Sequence, residues 1–214
     1  MGALSTYQGQ VSLLLHDPNF QFFSQSVLTG YINEARNRVA QDTKCLRQLV
    51  TGLVFTTPTE LYVPQTFLGA FGPYYVDCFG ITIYWGTMRI KLSYYPFTQF
   101  DANFRRYQTF VGRPVAFSRV GSNNVYIGPP PDQSYITDWD IAVTPPPLVS
   151  DSTVETIPVP YQEPVQYYAA YKAKFQEQSL GEAAIFKREY LMCLAWNQRV
   201  FMQRIIPNPY RIGA

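Results

Sequence analysis

Few residues in this chain could do chemistry. His16 is the only histidine. A triad would need it to meet a nucleophile, and no GxSxG elbow accompanies it, so it reads as a polar residue at a helix end before Pro18. Asp138 and Asp140 lie two apart on one face of an alternating run and could in principle share a cation, but a solvated strand face accounts for them better. Cys45, Cys78 and Cys193 stand far apart, odd in number and without a CxxC. They read as reduced core thiols rather than a disulfide framework or a zinc set. Phosphate loops, GxGxxG, HExxH and EF-hand signatures are all missing. The sequence therefore predicts no enzyme, no cofactor and no metal site.

Two further features invite a binding reading. The run Gly128 to Asp132, GPPPD, resembles a PxxP ligand, but a rigid turn between strands explains it better. Tyr74, Tyr75, Tyr84, Trp85, Tyr94 and Tyr95 would form a stacking platform for single strands or sugars if arginines or lysines were interleaved with them, and locally they are not.

The composition sets the frame for these residues. The 214 residues are 47% hydrophobic, 16% aromatic and only 15% charged, with 17 prolines. Soluble domains average roughly 25% charged. So much apolar surface with so little charge excludes a disordered chain and implies that part of the surface is covered by partners. A formal net charge of +2 is too small for bulk attraction to nucleic acid. After Glu189 every charge is basic: Arg199, Arg204 and Arg211. The start shows no secretory pattern, its Met1-Gly2…Thr6 only superficially fits myristoylation, and no run is long enough to span a membrane.

The elements that must position these residues follow from periodicity. Ser5 can cap a short helix with Tyr7, Val11, Leu14 and Leu15 on one stripe, which Asp17-Pro18 stops. A longer helix opens at Ser24 or Ser26, with Leu28, Tyr31, Ile32, Ala35, Val39, Leu46 and Leu49 on its apolar stripe. Arg36, Arg38, Lys44 and Arg47 lie on its polar side, where they could face a channel or pair with Glu34 and Asp42 on a solvated face. β-branched and aromatic runs punctuated by Gly and Pro then predict strands, with a hairpin at Gly86-Thr87. A capping box at Thr98 to Asp101 predicts a short helix near 98–108. Tyr135 to Val143 alternates as a half-buried strand. Helix resumes at Pro164 and again from Glu182 to about Arg204, where Phe186, Tyr190 and Leu194 are expected to pack on the second helix. The expected class is α+β, with N- and C-terminal helices forming a helical bundle around a β-rich insertion. In residue ranges, 1–51 is helical, 52–160 is β-rich, 161–204 is helical, and 205–214 is an extended tail. In that tail Pro207 and Pro209 forbid helix. Ile205, Ile206, Tyr210, Arg211 and Ile212 form an anchor-like run of residue types enriched at binding hot spots.

The order of these features resembles a known family. Leu14-Leu-His-Asp17, the helix Tyr31-Ile-Asn-Glu-Ala-Arg-Asn-Arg-Val-Ala-Gln-Asp42, the strand and turn Val125-Tyr-Ile-Gly-Pro-Pro-Pro-Asp132, Pro145-Pro-Pro-Leu148, Tyr167-Tyr-Ala-Ala-Tyr-Lys172 and Gly181-Glu-Ala-Ala184 are similar, in that order, to the head-to-tail adaptor (connector) proteins of tailed bacteriophages. The resemblance spans most of the chain outside residues 65–95. It implies a structural virion protein, made in the host cytoplasm and placed in the neck between capsid and tail. Its copies would form a ring, commonly twelvefold, beneath the portal protein. That ring would continue the DNA channel, touch DNA at most weakly and without sequence preference, and receive tail or nozzle proteins. The C-terminal run Ile205, Ile206, Tyr210, Arg211 and Ile212 would then dock on the portal. A monomeric β-rich module for sugar or peptide, flanked by helices, is the other reading of the same residues.

Overall fold

The computed structural model describes residues 3–67, 74–105, 110–121 and 123–202. Over these residues the chain is mixed α+β. Its helices are α1 (Ala3–Leu14), α2 (Gln25–Thr43), α3 (Phe97–Asn103), α4 (Glu163–Gln176) and α5 (Leu180–Met202). Its strands are β1 (Arg47–Phe55), β2 (Leu61–Tyr62), β3 (Tyr75–Trp85), β4 (Met88–Lys91), β5 (Ser93–Tyr94), β6 (Ala116–Val120), β7 (Asn124–Gly128) and β8 (Tyr135–Val143). The described residues of Met1–Thr43 and Pro147–Ala214 form one compact unit, and Lys44–Pro146 forms a second.

In the helical unit α2 buries Leu28, Ile32, Ala35, Arg36, Val39, Ala40 and Thr43, the spacing of one helical face. The expected continuation to Leu46 and Leu49 does not occur. Lys44 adopts φ +52°, the left-handed conformation that ends helices. Beyond it the chain enters the second unit, where Leu46 packs against that unit's own sheet core and Leu49 lies exposed on β1. Helix α4 packs on α1, α2 and α5, whereas α2 and α5 meet little. The expected direct seam between the second and last helices is thus replaced by α4, whose Val165, Ala169, Ala170 and Ala173 are fully buried. Small side chains let helices approach on several sides at once, and alanine costs nothing in helix propensity. Of the last helix's expected contacts, Tyr190 and Leu194 are buried and Phe186 is half-buried. The Tyr190 hydroxyl donates to Asp42 at 2.7 Å.

Two polar devices fasten the loops of this unit. Ser5 is not a cap but an early residue of α1, and its N–H donates to Asp151 Oδ1 at 2.7 Å. The proline-rich return segment therefore caps the first helix. Asn33 holds the same segment by a pair of hydrogen bonds: its amide N–H donates to the Leu148 carbonyl at 3.0 Å and its amide oxygen accepts from the Leu148 N–H at 2.8 Å.

The second unit holds two four-stranded sheets, ordered β1-β8-β3-β4 and β2-β7-β6-β5. The first is antiparallel throughout; in the second β5 runs parallel to β6. Among the described residues Trp139, on central strand β8, is the largest fully buried side chain. It meets Phe55 edge-on at 5.9 Å and Tyr62 at 6.4 Å, and its indole N–H donates to Thr137 at 2.8 Å. Ile81, Ile83, Phe117, Ile127 and Ile141 complete this core. The hairpin at Gly86-Thr87 forms with Trp85 opposite Met88, and Gly86 supplies the φ of +61° that a type II′ turn needs at its first central residue. The short helix runs over 97–103 with Pro96 as its N-cap and no side-chain cap bond, so the predicted capping box does not form. Its Phe100 and neighbouring Phe104 press on Gly128, where a Cβ would lie 2.7–2.9 Å from their carbons. The backbone of β7 can approach these rings only as glycine.

Candidate interaction surfaces

The four basic residues expected on one helix face separate. Arg36 is 0% exposed. Its guanidinium forks onto Glu155 at 2.8 and 3.0 Å and also donates to Asn33, so Arg36 faces the interior and not a channel. Arg38, half exposed, pairs with Asp42 one turn on. Lys44 follows the helix and pairs with Asp77, and Arg47 stands on β1 paired with Asp140. The salt-bridged alternative thus describes Arg38, while no single helix carries all four. Ile205, Ile206, Tyr210, Arg211 and Ile212 lie outside the described residues.

Asp138 and Asp140 do not share a site. Asp138 is 5% exposed and accepts from Tyr84 at 2.6 Å and Arg89 at 2.9 Å, while Asp140 pairs with Arg47. The expected solvated face fails at Asp138 because β8 is flanked on both sides, and long side chains from β3 and β4 roof it over. Among the described residues no group of three or more His, Cys, Asp or Glu could hold a metal, and no helix is long and apolar enough to cross a membrane.

The Leu14 to Asp17 motif acquires a physical role. His16 takes φ +57°, turning the chain so that Asp17 accepts N–H bonds from Gln21, Phe22 and Phe23 at 2.8–3.0 Å. Burial opposes the charge on Asp17, but these three donors outweigh it and hold its carboxyl below the ordinary range. A depressed folded pKa means that the contribution is present above the unfolded pKa, about 3.9, and is lost as pH falls through the lower folded value. The amide resonances of Gln21 to Phe23 should therefore titrate together with a midpoint below about 3.9. A midpoint at or above the unfolded value would contradict this account of the turn.

The thiols also separate by environment. Burial pushes the Cys78 thiol up to about 12, and Cys193 shifts up for the same reason. Only thiolate reacts with disulfide reagents. In the native chain at pH 8 Cys78 should stay unlabelled by such a reagent until the β unit unfolds; rapid native labelling identified by peptide mapping would refute this.

The residues most exposed to a partner are apolar. On α5, Leu180, Ile185, Leu191, Met192 and Trp196 are 52–68% exposed; Ile185, Met192 and Trp196 lie opposite the face that buries Ala183, Tyr190 and Leu194, and Leu180 and Leu191 flank it. An open cleft of about 720 Å³ lies in the same unit, lined by Tyr31, Glu34, Lys172, Phe175, Gln176 and Leu180. In the β unit the structure brings arginines onto aromatic rings that the sequence keeps apart. Arg113 lies 4.7 Å over Trp85, Arg119 4.6 Å over Tyr94, Arg89 5.4 Å over Tyr84 and Arg47 4.3 Å over Phe79. Of these only Tyr84 and Arg89 face each other across a hairpin, so that pair alone had a local signal.

Residues 3–200 match the family described as SU10 adaptor protein. No curated protein matches the chain.

Proposed function

Because the chain belongs to the SU10 adaptor protein family, a family of phage head-to-tail adaptors, we propose that its copies assemble into a ring beneath the portal, twelve in number, continuing the DNA channel and receiving the tail. The family is structural rather than enzymatic, and its members are virion components that interact with other phage head and tail proteins. The observation that supports the ring is the outer face of α5. Three large apolar side chains there, Ile185, Met192 and Trp196, the last at 68% exposure, with Leu180 and Leu191 exposed on the flank, are more than a free monomer usually leaves wet. A head-to-tail ring covers two different surfaces of each copy, and this face is one of them. The C-terminal run Ile205, Ile206, Tyr210, Arg211 and Ile212 docks on the portal. DNA contact is weak, because Arg38, Lys44 and Arg47 are already neutralised by aspartates and phosphate attraction needs uncompensated charge.

Electron cryomicroscopy of the particle neck tests the reading, with the full chain and with a Met192→Asp/Trp196→Asp variant. The expected result is a closed ring of this chain between portal and tail, lost in the variant while its circular dichroism is unchanged. Single copies at the neck, or rings that survive both substitutions, would overturn it. Deleting 205–214 should leave the subunit folded but absent from portal-bearing heads; normal incorporation would exclude the portal-docking role.

A further inference from the structure

Arg113 is an arginine without an ion pair among the described residues. Around it in the β unit, Arg47, Arg89, Arg105 and Arg119 each hold a carboxylate. The guanidinium of Arg113 instead lies over the indole of Trp85, at the tip of the β3–β4 hairpin. That tip is apolar and wet: Trp85 is 47% exposed and Met88, directly opposite it, 62%. Phe110, Val111 and Val115, close to Arg113 in sequence, are 65%, 43% and 41% exposed.

We infer that the Trp85–Met88 hairpin tip with Arg113 is a docking point for a protein surface that presents a carboxylate to Arg113 beside an apolar seat for Trp85 and Met88. The inference rests on the adaptor reading, since the partner is sought in the virion. Three physical points carry it. No carboxylate among the described residues forms an ion pair with Arg113, so the complementary group is an acid. Stacking on Trp85 holds the planar fork in one orientation before contact, which lowers the ordering cost of a bidentate bond to that acid. Trp, Arg and Met are enriched in the cores of interfaces. Nucleic acid fits less well. Phosphate binding draws on several free cations, and the neighbouring arginines are already paired, while Met88 and the valines offer a phosphate nothing.

The test uses the full chain in assembling phage, with Met88 replaced by the photoreactive residue benzoylphenylalanine. Illumination should join position 88 to a protein peptide that carries Asp or Glu close to the point of attachment. Arg113→Glu should lower the cross-link yield by roughly tenfold or more, the size expected of a hot-spot loss. Arg113→Lys should retain part of it, and changing the identified acid to Arg should restore the yield in the Arg113→Glu background. Near-UV circular dichroism of the purified variants checks the fold; Arg113 is only half-buried and Met88 62% exposed, so both positions tolerate exchange. Cross-links to DNA alone overturn the proposal, as do a peptide without a carboxylate, no cross-link with the chain present in purified virions, or a yield indifferent to Arg113→Glu. Absence of the chain from virions would overturn the adaptor reading as well, which separates the two failures.

Discussion

Arg36→Ala should cost the helical unit about 3–5 kcal/mol, the usual loss when one member of a buried ion pair is removed. The pair is nearly dry, with side-chain exposures of 1% for Arg36 and 10% for Glu155. Removing the guanidinium leaves the Glu155 carboxylate with the Ile157 N–H at 2.9 Å and no counter-charge. Asn33 loses a donor to its carbonyl oxygen at the same time, so the clasp on Leu148 weakens too. Tyr7 beside the carboxylate does not substitute for the guanidinium: burial first, then Glu155, push its phenol pKa up, so it stays neutral and brings no positive charge. Urea unfolding followed at 222 nm reports this unit, where the long helices are. The double variant Arg36→Met/Glu155→Leu should recover most of the loss, because two apolar residues carry no desolvation penalty. A single-variant loss below about 1 kcal/mol would mean that the pair behaves as a surface one.

Trp139→Ala should cost the β unit about 3–5 kcal/mol, the range for truncating a large buried aromatic. Trp139 is 1% exposed on a central strand. It contributes transfer free energy, ring contacts with Phe55 and Tyr62 and a satisfied indole N–H. The alanine variant leaves a cavity that neither sheet can close, since β8 is hydrogen-bonded to both β1 and β3. Hydrogen exchange of the β3 and β8 amides is the appropriate measurement, because it reads this unit apart from the helices. Protection should fall by the same free energy in both strands. Unchanged protection would place the weight of this core elsewhere.

Much of the fold was legible because periodicity says which residues share a face. Leu28, Ile32, Ala35 and Val39 emerged as the inner face of α2, and Tyr135, Thr137, Trp139, Ile141 and Val143 as the inner face of β8. Periodicity does not say what covers the other face. Arg36 read as polar surface because its partner, Glu155, stands 119 residues away. Asp138 read as solvated because Arg89 and Tyr84 come from a different hairpin. The end of α2 was misplaced because Leu46 and Leu49 continue a helical stripe, and nothing short of the left-handed turn at Lys44 breaks it. The candidate surfaces divide the same way. Aromatic residues at the β3–β4 tip were visible as a class, but the arginine over Trp85 arrives from a distant loop, and only the folded sheet joins them. Adaptor kinship was carried by the order of motifs, of which the Asp17 turn and the Asn33 clasp now have mechanical reasons.

The helical unit is discontinuous in the chain, and this has a consequence for biosynthesis. Helices α1 and α2 leave the ribosome first, but their central packing partner, α4, begins only at Glu163. Between them lies the whole of Lys44–Pro146, a contiguous stretch with its own core, which can fold while translation proceeds. At roughly 5–20 residues per second the apolar stripe of α2 waits on the order of 5–20 seconds for α4 to appear. During that interval Leu28, Ile32 and Val39 lack their final cover. The nascent chain is thus most open to aggregation at one defined stage, after α2 and before α4, and a chain arrested near residue 150 should aggregate more readily than the complete one.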